Sequence, residues 1–86
     1  MYLIVVYDTD RKNCVQLHKQ LKKYLHWNQN SVFEGAVTES QYAHIKTILE
    51  QKRAENSHIV LFSMSNEKLL SREEMGEAKG NISNIL

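Results

Sequence analysis

The sequence predicts an α+β fold: an antiparallel sheet in βαββαβ order, with two helices on one of its faces. Three observations predict it. Apolar runs rich in β-branched and aromatic residues stand at 2–7 and 58–64. Segments 11–26 and 38–56 carry apolar residues at three- and four-residue steps. Between the two lies an extended stretch, so the order reads strand, helix, strand region, helix, strand. A chain of 86 residues supports one core, and 42% hydrophobic and 24% charged residues with no Pro describe a folded domain built from long elements.

The first strand, Tyr2-Leu3-Ile4-Val5-Val6-Tyr7, ends at Asp8-Thr9-Asp10 and is apolar on both sides. Leu3, Val5 and Tyr7 point one way; Tyr2, Ile4 and Val6 point the other. From Arg11 to His26 the residues Cys14, Leu17, Leu21, Tyr24 and Leu25 form a helical stripe, with Asp10 placed to cap it. Residues 28–37 read as one broken strand or two short ones, with Gly35 marking a bulge, a bend or a hairpin. Thr38-Glu39-Ser40-Gln41 is a capping signal for a second helix, whose stripe is Tyr42, Ile45, Ile48 and Leu49. His58 to Met64 is the last clear strand. Lys68 to Met75 fits helix or strand equally, and the apolar Ile82, Ile85 and Leu86 need a surface to pack on. We divide the chain into a core at 1–65 and a C-terminal segment at 66–86.

Two helices cover one face of such a sheet, yet the first strand is apolar on both. At about 25 cal/mol per Å², a wet second face would forfeit much of a small domain's stability. The sequence therefore predicts a homodimer in which a second copy covers that face, with the C-terminal strand exchanged between protomers.

Charge and motifs exclude several function classes. The net charge is +1, but residues 11–53 hold eight Lys and Arg against three acids, a local +5. Arg11, Lys12, Lys19, Lys22, Lys23, Lys46, Lys52 and Arg53 are candidate phosphate contacts, or simply solvated helix faces. No Gly-rich phosphate loop and no Gly-x-Ser-x-Gly elbow is present. His18 and His26 are two helical turns apart, about 12 Å, too far to share a metal. Cys14 lies on the apolar stripe and reads as core, and a lone Cys suits a reducing compartment. Trp27 is a candidate base-stacking residue or, more commonly for Trp, a packing anchor. The apolar start is too short for a secretory signal, so the expected location is cytoplasmic, with no membrane contact.

Two segments, Tyr2-Leu3-Ile4-Val5-Val6-Tyr7-Asp8 and Ser31-Val32-Phe33-Glu34-Gly35 followed by the Thr-Glu-Ser helix start, carry a family resemblance. With an amphipathic helix between them in a chain this short, the sequence resembles the small CRISPR-associated Cas-two (Cas2) proteins. The tail Gly80-Asn81-Ile82-Ser83-Asn84-Ile85-Leu86 is similar to family members that pass a last strand to their partner. The resemblance implies a ferredoxin-like homodimer that scaffolds the Cas-one (Cas1) integrase and holds prespacer duplex DNA during spacer acquisition. It also implies a metal-dependent endonuclease activity on RNA or DNA, described for several members. Asp8 of each subunit is then the catalytic residue and the ligand of Mg²⁺ or another divalent cation near the two-fold axis. Ser31 and Phe33 match positions lining the same interface cleft, and Arg11, Lys12, Lys19, Lys22 and Lys23 are the candidate nucleic-acid contacts. One departure stands out: many members carry several Arg early in the first helix, whereas here Asn13, Cys14 and Val15 follow Arg11 and Lys12. A toxin-like small ribonuclease acting without an integrase is the alternative function.

Overall fold

The computed structural model describes residues 1–52, 55–71, 73, 75 and 76. The elements run β1 (Tyr2–Asp8), α1 (Arg11–Leu21), β2 (His26–Gln29), β3 (Val32–Ala36), α2 (Glu39–Lys52) and β4 (His58–Met64), then a 3₁₀ turn at Glu67–Leu69. The strands form one sheet in the order β2-β3-β1-β4, and every neighbouring pair is antiparallel. This is the ferredoxin-like α+β arrangement. The expected C-terminal exchanged strand, with Ile82, Ile85 and Leu86, lies outside the described residues.

β1 is central because it pairs along its length on both edges. Tyr2 to Val6 face Ala36 to Val32 of β3, and Tyr2 to Asp8 face Met64 to His58 of β4. Its Leu3, Val5 and Tyr7 join Leu17, Leu21, Leu25, Phe33, Val37, Ile45 and Leu49 in the buried core between sheet and helices. Both helices thus lie on one face, here called the helix face. The opposite, open face carries Tyr2, Ile4 and Val6 of β1, Val32 and Glu34 of β3, and Val60, Phe62 and Met64 of β4, as the register requires. Phe62 stays 53% exposed there and Val6 36%.

Sequence capping is realised in detail. The Asp10 carboxylate accepts from the Asn13 backbone N–H at 2.9 Å and from Asn13 Nδ2 at 2.8 Å, starting α1 two residues after β1 ends. At α2, Thr38 Oγ1 accepts from the Gln41 N–H at 3.1 Å and Gln41 Oε1 accepts from the Thr38 N–H at 3.0 Å, a reciprocal capping box.

Two local expectations are corrected. The first helix stops at Leu21 rather than reaching His26, because the chain tightens through bonds from Tyr24 N–H and Leu25 N–H to the Leu21 carbonyl. Leu25 remains buried, but His26 onward pairs with β3 instead. The break between the two short strands falls at Asn30, whose φ of 43° sits in the left-handed region that Asn tolerates, and not at Gly35. The register irregularity lies at Asn28, between Trp27 and Gln29. Gly35 lies within β3, where an added Cβ would sit in ordinary contact with Leu25 Cδ2 at 3.4 Å.

Replacing Thr38 with Ala removes one half of the capping box. We expect a loss of about 1 kcal/mol in urea denaturation with unchanged secondary structure by circular dichroism. The cap at α1 is pH-linked. Hydrogen bonds from the Asn13 backbone and side chain hold the Asp10 carboxyl below its ordinary value of 3.8. A depressed folded-state pKa adds stability that is present above the unfolded value and disappears as pH falls through the folded one. Acid unfolding of Asp10→Asn should therefore show a smaller loss of stability below pH 3.8 than that of the wild type, read as melting temperature against pH.

Candidate functional site

Strand parity sets the site. Asp8 is the last residue of β1 and shares the side of Tyr2, Ile4 and Val6, so its carboxylate stands exposed at the rim of the open face. The connection to α1 is only Thr9-Asp10, and Asp10 is held at the helix start by Asn13. The two nearby acids therefore have different work: Asp10 caps, and Asp8 is available. Across the β1–β4 ladder Asp8 lies directly opposite His58, and the next pair inward on that face is Val6 with Val60.

Farther in, Glu34 is 7% exposed, accepting from the Tyr2 hydroxyl at 3.0 Å and from Asn28 Nδ2 at 3.4 Å. A buried carboxylate needs such donors to offset its lost hydration. It places a buried polar group among the apolar side chains of the open face.

Tyr7 points to the helix face. Burial first, and then the neighbouring Cys14 thiol, push its phenol far above the ordinary value. Its hydroxyl and that of Thr9 are buried, and neither has a hydrogen-bond partner among the described residues. Tyr7 thus stays neutral and exchanges no proton near neutrality. Cys14 is half-buried against the core, as its place on the apolar stripe required.

The residues expected to share a cleft with Asp8 separate. Phe33 is fully buried on the helix face, with its ring 6.2 Å from Tyr7 and 5.2 Å from His18, because its register partner Val5 points there. It supports β1 from behind rather than lining the face that carries Asp8. Ser31 is half-buried in the β2–β3 turn, and its carbonyl accepts from the Tyr7 N–H at 3.1 Å, which fixes the end of β1 next to Asp8. Trp27 donates from Nε1 to the Asn30 carbonyl at 2.8 Å and meets His18 edge-on at 4.6 Å, so it anchors the turn.

Arg11, Lys12, Lys19, Lys22 and Lys23 are all exposed. At 100° per residue they fall within an arc of about 120° on the side of α1 away from buried Leu17 and Leu21. Lys23 Nζ donates to Gln20 Oε1 at 3.3 Å, and Lys46 Nζ lies 5.4 Å from the Tyr42 ring centre. Lys52 is half-buried, and Arg53 lies outside the described residues. The basic arc therefore lies on the outer side of α1, across the sheet from the open face that carries Asp8.

Among the described residues, no group of three or more His, Cys, Asp or Glu side chains is arranged to hold a metal. Asp8 fits a divalent cation only as part of a shared site, since hard cations take one or two carboxylates and keep several waters. His58 is the member of this region that reading the sequence missed. Two seven-residue strands flanking the domain, Tyr2–Asp8 and His58–Met64, were the available signal, because an end-to-end antiparallel pairing sets the last residue of one against the first of the other. No helix among the described residues is long and apolar enough to cross a membrane.

Comparison with known proteins gives a consistent placement. The family model for CRISPR associated protein Cas2 matches residues 1–72. A CRISPR-associated endoribonuclease Cas2 of Methanosarcina acetivorans is 37% identical over 87 residues, covering 100% of both chains. One from Methanothermobacter thermautotrophicus is 38% identical, covering 100% of this chain and 96% of its own. Among solved structures, a cas2 crystal structure superposes with a TM-score of 0.84 at 32% identity, covering 95% of this chain and 93% of the other. Streptococcus pyogenes Cas2, crystallised at pH 6.5, gives 0.77 at 29% identity, covering 88% of this chain and 100% of its own. With the family model spanning residues 1–72 and relatives 37% and 38% identical along the whole chain, the chain belongs to the CRISPR-associated Cas2 family.

Proposed function

We propose that this chain is a homodimeric subunit of CRISPR adaptation: a nucleic-acid-binding scaffold for the Cas1 integrase, with a metal-dependent endonuclease activity centred on Asp8. One observation carries the reading. The open face of the sheet is largely apolar at Ile4, Val6, Val32, Val60 and Phe62, and Asp8 sits at its rim. A second copy laid on that face about a two-fold axis buries those side chains and brings two Asp8 carboxylates toward one another. The endoribonuclease names of the Methanosarcina and Methanothermobacter relatives support the nuclease part.

In that dimer the chain's own residues divide the labour. The paired Asp8 carboxylates would hold Mg²⁺ or another divalent cation, which supplies charge neutralisation at a scissile phosphate and acidifies water. Asp10 stays engaged with Asn13 and keeps α1 and its basic arc fixed relative to Asp8. Lys12, Lys19, Lys23 and their neighbours neutralise phosphates along a duplex or a folded RNA without reading its bases. Such a protein works in the cytoplasm, where the CRISPR locus is.

Labelled single-stranded RNA and duplex DNA, incubated with dimeric wild type and Asp8→Asn with and without divalent cations, test the nuclease. Metal-dependent cutting by the wild type, reduced on the order of a hundredfold or more in Asp8→Asn, is the expected result. Equal cutting by both proteins would remove Asp8 from catalysis.

The basic arc makes a separate prediction for duplex binding. Each phosphate contact contributes about 0.9 to the slope of log K against log salt. Replacing Lys12, Lys19 and Lys23 with Gln should flatten that slope by up to about 2.7 per chain, with no change in sequence preference. An unaltered slope would place the nucleic acid elsewhere.

A further inference from the structure

Asp8 and His58 are directly opposite one another at one end of the β1–β4 ladder. Opposite side chains of an antiparallel pair leave the sheet on the same face with Cβ atoms about 4.5–5.5 Å apart. A carboxylate oxygen and an imidazole nitrogen projecting from such a pair can meet as neighbours in one coordination sphere, whose bonds to oxygen or nitrogen are about 2.0–2.2 Å. Both side chains are exposed, and no hydrogen bond or ion pair engages either of them among the described residues. The pair one step inward, Val6 and Val60, offers no competing polar group. The other His on the open-face side, His26, lies on β2 at the far edge of the sheet, with β3 and β1 between it and β4.

We propose that His58 completes the Asp8 site as a nitrogen ligand, so that this chain takes a divalent first-row transition cation in preference to Mg²⁺. The inference rests on the reading of Asp8 as a metal ligand and deepens it. Mg²⁺ is a hard cation that takes oxygen donors and gives up its waters reluctantly. Imidazole suits transition cations, whose affinity for a mixed nitrogen and oxygen site rises from Mn²⁺ to Co²⁺ and beyond. A two-fold axis through the rim of the open face would double one carboxylate and one imidazole into two of each. That donor set belongs to transition-metal sites rather than to Mg²⁺ sites.

The alternative role for His58 is a cross-strand polar partner of Asp8 without metal, and binding measurements separate the two. Calorimetric titration of Co²⁺ and of Mg²⁺ into wild type, His58→Ala, His58→Asp and Asp8→Ala, each confirmed as a folded dimer, is combined with pulsed electron paramagnetic resonance of the Mn²⁺-loaded protein. We expect wild type to bind Co²⁺ more tightly than Mg²⁺ and to show imidazole ¹⁴N modulation. His58→Ala should lose on the order of tenfold or more in Co²⁺ affinity, keep its Mg²⁺ affinity and lose the ¹⁴N signal. His58→Asp, with an oxygen donor at the same register position, should shift preference back toward Mg²⁺. Unchanged Co²⁺ affinity in His58→Ala, with binding abolished by Asp8→Ala, would overturn the role of His58 and leave Asp8 as the ligand. Unchanged binding in Asp8→Ala would overturn both.

Discussion

The central strand β1 is apolar on both of its faces, and two helices can cover only one of them. Leu3, Val5 and Tyr7 meet α1 and α2 in a closed core, whereas Ile4 and Val6 share the opposite side with Val32, Val60 and Phe62. Full burial of a Val, Ile or Phe side chain contributes about 1.5–3 kcal/mol. The total stability of a domain is about 5–15 kcal/mol, so several half-covered side chains are a large fraction of what this chain has available. Glu34 modulates that face: its carboxyl group is engaged by Tyr2 and Asn28, and a partner packing over it must leave those hydrogen bonds in place.

Position of the chemistry follows from the same strand. A seven-residue β1 that begins with Tyr2 on the open side must place its last residue, Asp8, on that side as well. The Thr9-Asp10 connection is so short that α1 starts at once after Asp8. Asp10 cannot substitute for Asp8, because both of its carboxylate oxygens are occupied by Asn13. Pairing of β1 with β4 then delivers His58 to the same rim. Fold, open apolar face and candidate site are thus three consequences of one strand's length and parity.

Much of this was legible in the sequence because the signals were local. The two-sided strand, the Thr38 to Gln41 capping box and the stripe of Ile45, Ile48 and Leu49 each state their structure within a few residues. What was not legible depended on partners far along the chain. Tyr24 and Leu25 continue the helical spacing, yet pairing of Trp27 with Phe33 ends the helix at Leu21. Phe33 was expected near Asp8 and lies behind the sheet, since strand parity is set by register with β1. His58 carries no motif of its own and gains meaning only from the β1–β4 register.

On the proposed reading, a second copy of the chain covers the open face of the sheet. Sedimentation equilibrium at micromolar concentration tests it most directly, with wild type beside Phe62→Glu, which puts a charge on that face. The expected result is about twice the 10.1 kDa chain mass for the wild type and a shift toward monomer for the variant. A wild-type protein that sediments as a stable 10.1 kDa monomer across that range would contradict it.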